Sequence, residues 1–307
     1  MKRFLIYLLA FTMLISLASC DKGEQTGGTQ STTEAQGTAA ILYQSELVSG
    51  KFSKFDLQEN CVYNGAVVFG EASHSFTGTG IFIDGNTVTI TKAGCYRVTG
   101  QSSNAQLIID AGDLDKVHLV VEGVNLRSQN SAPLWVKNAD KVVVTLKGGT
   151  VNTFADGNSF PEGDNMPNAV IYSRDSISFN GDGKLVVEGS LYNGISCSND
   201  LKFISGEYEI SAANNGVKGK DSVAILSATM KITAGKDGIK SDALNEAGKG
   251  FVYIAGGNIE IHATDDGIQA NDAIDLQGGT YLFVCDGKTI NAKGAYHIDQ
   301  SVIIREE

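Results

Sequence analysis

Positive charge is what this sequence has least of relative to need. Lys and Arg number 24 against 35 Asp and Glu, a formal charge of −11. Binding a nucleic-acid backbone takes a basic face, so this balance argues against a nucleic-acid partner. An acidic ligand would also be repelled, unless a bound cation lay between it and the protein. Proline is scarce, at 3 residues, and charged residues are only 19%. With 36 glycines, those values suit a turn-rich β protein. A sustained helical period is missing. The four histidines, His74, His118, His262 and His297, share no ligand spacing and read as incidental. Beyond Cys20 the cysteines are Cys61, Cys95, Cys197 and Cys285, in no zinc-binding pattern. Two readings stand for them: a Cys61–Cys95 disulfide, or four buried thiols.

The first residues carry a secretion signal. Lys2 and Arg3 precede an apolar run from Phe4 to Leu17, and Leu17-Ala18-Ser19-Cys20 closes it. The run is short for a bilayer span, and a signal peptide ends at small residues. A cysteine after Leu-Ala-Ser resembles the bacterial lipobox, in which the sulfur is lipidated and the chain is cut before it. Residues 1–19 are therefore expected to be a lipoprotein signal peptide, and Cys20 the acylated, membrane-held mature N-terminus. Losing Lys2 and Arg3 makes the mature chain two charges more negative. Residues 20–40 are rich in Gly, Thr, Ser, Gln and Glu and read as a disordered tether. No second apolar span follows, so residues 41–307 are expected to form one extracytoplasmic domain in the cell envelope, monomeric, with 41–77 as an N-terminal cap.

The domain repeats itself. Asn193-Gly194-Ile195, Asn215-Gly216-Val217, Asp237-Gly238-Ile239 and Asp266-Gly267-Ile268 recur in steps of 22, 22 and 29 residues. Between them lie the alternating runs Glu207–Ser211, Thr229–Thr233 and Asn258–His262. Alternation of this kind sends one set of side chains inward and the other to solvent. A recurrence of this length on β-rich sequence indicates a solenoid in which each repeat is one coil. The expected fold is all-β, a parallel β-helix with coils of about 22 residues, with Ile195, Val217, Ile239 and Ile268 stacked in its core. The repeat glycines are expected to supply corners with positive φ. Further strands are read at Leu107–Ile109, Val117–Val121 and Val142–Leu146, with a corner at Asp84-Gly85-Asn86. Thr153–Asn168 reads as a polar loop and Ala243–Gly250 as the insertion behind the longer step. Val302–Ile304 reads as the last strand.

Stacking the repeats aligns their polar residues. One column holds Asn193, Asn215, Asp237 and Asp266, and the column before it Tyr192, Asn214, Lys236 and Asp265. A looser one holds Asp200, Asp221, Asp242 and Asp272. Carboxylates on coils roughly 4.8 Å apart repel one another unless neutralised. Calcium, a hard cation taking roughly six to eight oxygens, suits that need outside the cell. Asp237, Asp265 and Asp266 are the expected ligands, with Asp242, Asn215 and Asn214 beside them. Asn193 and Asp200 read as turn formers. Two residues after each glycine stand Ser196, Lys218, Lys240 and Gln269, pointing outward. Lys218 and Lys240 balance neighbouring carboxylates, hold a sugar carboxylate, or act as a base. Trp135, Tyr172, Tyr192, Tyr253 and Tyr296 are candidates for stacking on sugar rings, with Trp135 and Tyr192 foremost.

These repeats, with Thr87–Gly94, Ser131–Val142 and Pro167–Val170 upstream, resemble the bacterial carbohydrate-binding β-helix proteins, over about Gly78 to Leu282. The resemblance implies a right-handed β-helix that binds calcium and either cellulose or an acidic polysaccharide such as pectate. It also implies kinship in fold and calcium site with the family-nine pectate lyases, which pair calcium with a lysine base. Asn193 and Asn215 stand where that family often has Asp, which weakens a metal site in the early coils. The expected function is that of a surface lipoprotein binding polysaccharide rather than an enzyme. A calcium-dependent lyase using Lys218 or Lys240 is the alternative, and a surface adhesin the third reading.

Overall fold

The computed structural model describes residues 50–307. The leader, Cys20, the tether and residues 41–49 lie outside the described residues. Among the described residues every regular element is a strand. From Asn193 onward each coil contributes three strands. The first coil of this series has Asn193–Cys197, Asp200–Phe203 and Glu207–Ala212. The next has Val217–Gly219, Ser222–Ile225 and Ala228–Ala234. Each strand pairs in parallel with its counterpart one coil on, so the chain stacks as a β-solenoid. The two antiparallel pairs both lie near the start: Tyr63–Phe69 with Ser75–Gly78, and Ile81–Asp84 with Thr87–Ile90. The second of these turns at Asp84-Gly85-Asn86, as the sequence indicates.

The strands gather into a sheet of eighteen and a sheet of ten. The ten-stranded sheet positions the candidate site. Its inward column is Leu134, Ile171, Ile195, Val217, Ile239 and Ile268, each fully buried and in register with the next. Burying one such side chain contributes about 1.5–3 kcal/mol, and an apolar residue at every coil is what closes the solenoid. Inside, Phe179 stacks on Phe203 with ring centroids 5.3 Å apart, and Tyr281 on Phe283 at 5.9 Å.

The repeat glycines act differently from the expectation. Gly194, Gly216, Gly238 and Gly267 are absent from the positive-φ positions. They are glycine because a Cβ has no room. At Gly194 it would lie 2.6 Å from Ile210 Cγ2 and 2.7 Å from the Gly216 carbonyl oxygen of the next coil. The left-handed corners fall elsewhere, at Gly206, Gly257 and Gly279, where the chain enters the third strand of a coil. Gly194→Ala is therefore expected to destabilise by about 1–3 kcal/mol through overpacking. A denaturation midpoint equal to that of the wild type would refute the steric account.

Two boundaries shift, and one column is lost. The strand Val151–Ala155 takes the start of the expected loop, which begins at Asp156. The buried Asp156 carboxylate accepts the backbone N–H groups of Ser190 and Leu191, fixing the next coil's entry. The last strand is Ile303–Glu306. The looser aspartate column dissolves, because Asp200 stands opposite Ser222 rather than Asp221. Asp221 instead pairs with Lys249 at 3.1 Å.

Residues 50–61 form a strap across the outside of the solenoid. Phe52 is buried against Ile204, Ala224, Leu226, Tyr253 and Ala255, which lie in or just after the second strand of successive coils. Asp56 is fully buried, its carboxylate accepting from Lys141 Nζ at 2.9 Å and Ser178 Oγ at 2.5 Å, with Lys202 Nζ at 3.6 Å. Asn180 Nδ2 donates to the carbonyls of Asp56 and Gln58. Burial pushes the Asp56 carboxyl up, but Lys202 and Lys141, with the Ser178 hydroxyl, outweigh it and bring it down to about 2. Burial also pushes the Lys202 ammonium below its ordinary value, against the pull of Asp56.

His118 is not incidental. Its ring is buried under the strap, edge-on to Phe55, and burial pushes its imidazole down to about 4. Of the two cysteine readings the structure has the first. Cys61 and Cys95 are bonded, with Cα atoms 6.2 Å apart. Cys197 and Cys285 are free, and burial pushes the Cys197 thiol up to about 12.

Candidate functional site

The outward column of the ten-stranded sheet is a continuous stripe. Ile108, Trp135, Tyr172, Ser196, Lys218, Lys240, Gln269 and Asn291 follow one another in register from coil to coil. With about 4.8 Å between coils, the stripe from Trp135 to Asn291 is about 29 Å long. It runs from aromatic, through basic, to amide.

At the aromatic end Trp135 is half-buried, packed with Phe160 beside Ala132, Ala169 and Tyr172. Lys137 Nζ lies 5.4 Å from its ring centroid. Tyr172 and Tyr253 are buried packing residues, so the structure removes both from the stacking candidates. Tyr192 keeps an exposed ring, edge-on to Phe160 at 5.3 Å, and Tyr296 is exposed in the last coil.

At the other end a cleft of about 390 Å³ opens among Asp237, Lys240, Asp242, Asp265, Asp266, Gln269 and their neighbours. One carboxylate oxygen from each of Asp237, Asp265 and Asp266 lies within 4.8 Å of the others. The residues of the polar column explain why. Asn215 Nδ2 donates to Asn193 Oδ1 at 2.8 Å, and Asn193 Nδ2 to the Asn168 carbonyl at 2.9 Å. The early coils thus carry an amide ladder, which ends at the unpartnered Asn215 Oδ1. At Asp237 the ladder changes to carboxylates, which only accept. The Asp266 N–H donates to Asp237 Oδ1 at 3.2 Å, and Lys240 Nζ to Asp237 Oδ2 at 2.5 Å. Asp266 accepts from the Lys288 N–H at 2.9 Å and Asn291 Nδ2 at 2.5 Å.

Two carboxylates 4.8 Å apart repel by about 3 kcal/mol at an effective dielectric of 20. The lining holds four carboxylates against two lysines, Lys240 and Lys293, so negative charge is left over. Two buried amide oxygens, Asn215 Oδ1 and Gln269 Oε1, have no hydrogen-bond partner. Uncompensated carboxylates and orphaned amide oxygens are the donor set of a hard divalent cation.

The expected ligands divide accordingly. Asp237, Asp265, Asp266 and Asn215 fit. Asp242 lines the cleft but pairs with Lys218 Nζ at 2.8 Å. For Asn214 the structure shows only backbone bonds, to the carbonyl of Tyr192 and from the N–H of Lys236. Both lysines of the stripe are engaged with carboxylates. Gln269 and Asn291 were not among the expected ligands. The signal for Asn291 was weak, since the Asn-Gly or Asp-Gly pair of the other repeats is replaced by Lys288-Thr289 before Ile290.

A family model described as carbohydrate-binding domain-containing protein matches residues 84–302. A protein of the same description from Acetivibrio thermocellus is 38% identical over 228 residues, 73% of this chain and 79% of the relative. The solved structure of the polysaccharide lyase-like protein from C. thermocellum, a gadolinium derivative, matches with a TM-score of 0.77 at 36% identity. That match covers 79% of this chain and 99% of the other.

Proposed function

Because this chain belongs to the carbohydrate-binding domain-containing protein family, we propose that it binds a polysaccharide along the outer stripe of the ten-stranded sheet, with calcium in the cleft at its end. The observation that carries the reading is the stripe itself. A glycan laid along the coils meets the exposed ring of Tyr192 and the edge of Trp135 first, and Lys218 and Lys240 next. Asp237, Asp265 and Asp266 would hold the cation, with the free oxygens of Asn215 and Gln269. Bound there, calcium would neutralise the cluster and bridge it to a sugar carboxylate. We take the solenoid as right-handed, in line with the strong preference of parallel crossovers. Lipidation of Cys20 would anchor the protein to the cell envelope. Incorporation of labelled fatty acid tests this, and labelling that persists in Cys20→Ser would refute it.

The lyase reading has one specific support, the polysaccharide lyase-like neighbour. In that chemistry Lys218 or Lys240 takes the proton beside a uronate carboxylate. Lys240 donates to Asp237 Oδ2, so a cation that took that oxygen would release its ammonium. Fold likeness alone does not carry activity, which ranks this reading second.

The two readings separate in one experiment. The protein is mixed with insoluble cellulose and with pectate, with calcium or a chelator, and the supernatant is read for unsaturated uronide. Calcium-dependent retention on pectate without product is expected. Product that disappears in Lys218→Ala or Lys240→Ala would establish the lyase. No retention on either polymer would reject the polysaccharide reading of this stripe.

A further inference from the structure

A second cluster of ligand atoms lies on the opposite side of the molecule's chemistry, soft where the acidic cleft is hard. Cys95 stands directly opposite His118 in register, and Cys61 reaches Cys95 from the end of the strap. One ligand atom from each of the three lies within 4.8 Å of the others. The imidazole is buried, and its Nδ1 has no hydrogen-bond partner.

The protonation of that ring follows from its neighbours. Both protons of Asn180 Nδ2 go to strap carbonyls, so Asn180 Oδ1 faces Thr145 as an acceptor. Thr145 Oγ1 donates its one proton there, at 2.5 Å. Toward His118 Nε2, at 2.7 Å, the hydroxyl can then only accept. The proton sits on Nε2, and Nδ1 carries a bare lone pair inside the protein. A metal-binding histidine is held in just this way, one ring nitrogen donating to a neighbour and the other left for the ion.

We infer that Cys61, Cys95 and His118 become a site for a thiolate-seeking d¹⁰ cation, zinc(II) in the first instance, once the disulfide is reduced. A dithiol reductant passes two electrons and two protons to the S–S bond and leaves as its own cyclic disulfide, giving two thiols. Binding zinc releases both thiol protons to water, so the ion is held by two thiolates and one neutral imidazole. A cleft of about 310 Å³ lined by Cys61 and Thr145 among others opens beside the cluster, on its Cys61 side. The redox state of the pair thus decides whether this end of the strap is closed by a covalent bond or by a metal. Hard and soft cations are sorted between the two sites by donor type.

The test uses the full chain, reduced with a phosphine and freed of it without oxygen, titrated with cobalt(II) as the spectroscopic probe and then with zinc. One equivalent of cobalt with a thiolate charge-transfer band is expected for the reduced chain, and none for the oxidised chain. The band should vanish in the double variant Cys61→Ser, Cys95→Ser, which keeps Cys20, Cys197 and Cys285. It should persist in Asp266→Asn, which alters only the acidic cleft. Thr145→Val, which frees the Nε2 proton from its acceptor, should weaken binding about 10–100-fold. His118→Gln should weaken it further and shift the ligand-field bands. A reduced, folded chain without the band overturns the inference, as does a band that survives in the double variant. Circular dichroism establishes folding, and a reduced chain that unfolds overturns it equally.

Discussion

Asp56→Ala lowers stability by about 3–5 kcal/mol at neutral pH, the expected cost of removing one partner from a buried ion cluster. Most of the loss comes from what is left behind. Lys202 is buried, and besides Asp56 its ammonium has the Lys51 carbonyl at 2.7 Å. Ser178 and Lys141 lose the same acceptor. The strap should detach as a unit, so trypsin should cut after Lys54 in the variant well before it cuts the coils. The pH dependence gives a second, independent readout. The folded carboxyl lies at about 2, below the ordinary 3.8. A depressed carboxyl contributes stability that is full above the ordinary value and is lost as pH falls toward the folded one. The wild type should therefore lose about 2 kcal/mol between about pH 4 and pH 2 that Asp56→Ala does not lose. Urea midpoints across that range decide it, and parallel curves for the two proteins would remove Asp56 from this role.

Calcium at about one hundred times its dissociation constant should stabilise the protein by about 2.7 kcal/mol, and Asp266→Asn should abolish the gain. For a chain of this size that is a rise in melting temperature of about 5–11 °C. The more telling outcome is a change of sign. Without a cation the Asp237–Asp266 repulsion is offset only in part, by Lys240 on Asp237, and Asp266→Asn relieves it. In chelator the variant should be at least as stable as the wild type, and in calcium clearly less stable. A variant weaker by the same amount in both conditions would mean that Asp266 serves only its bonds to Lys288 and Asn291.

The solenoid was legible because its information is periodic. An apolar residue after each repeat glycine, at Ile195, Val217, Ile239 and Ile268, is enough to set the register of the ten-stranded sheet. The acidic cluster was legible for the same reason, since register converts positions along the chain into neighbours in space. The reason for the repeat glycines was not legible. Corner and crowding leave the same letter, and only the position of Ile210 beside Gly194 tells them apart. Nor was the strap, whose residues obey no period and whose partners lie far along the chain. Asp56 and Ser178 meet across 122 positions, a relation that no spacing rule carries. His118 was missed on the same ground, because its partners Thr145, Asn180 and the cysteines come from four different segments.

The strap has a consequence for the order of assembly. Lys51 to Gln58 leave the ribosome, and cross any membrane, before the strands they rest on. Phe52 cannot find Tyr253, nor Asp56 its Lys202, until some 200 and 150 later residues, respectively, have emerged and coiled. The earliest part of the domain to be made is thus the last able to settle, and the coils must stand for a time without it. During that interval the apolar outer patch of Ile204, Leu226 and Tyr253 faces water, and so does the unpaired ammonium of Lys202. Contacts of such long sequence separation form late and slowly. The domain's final folding step is therefore the docking of its own beginning, a latch thrown only after the body behind it is complete.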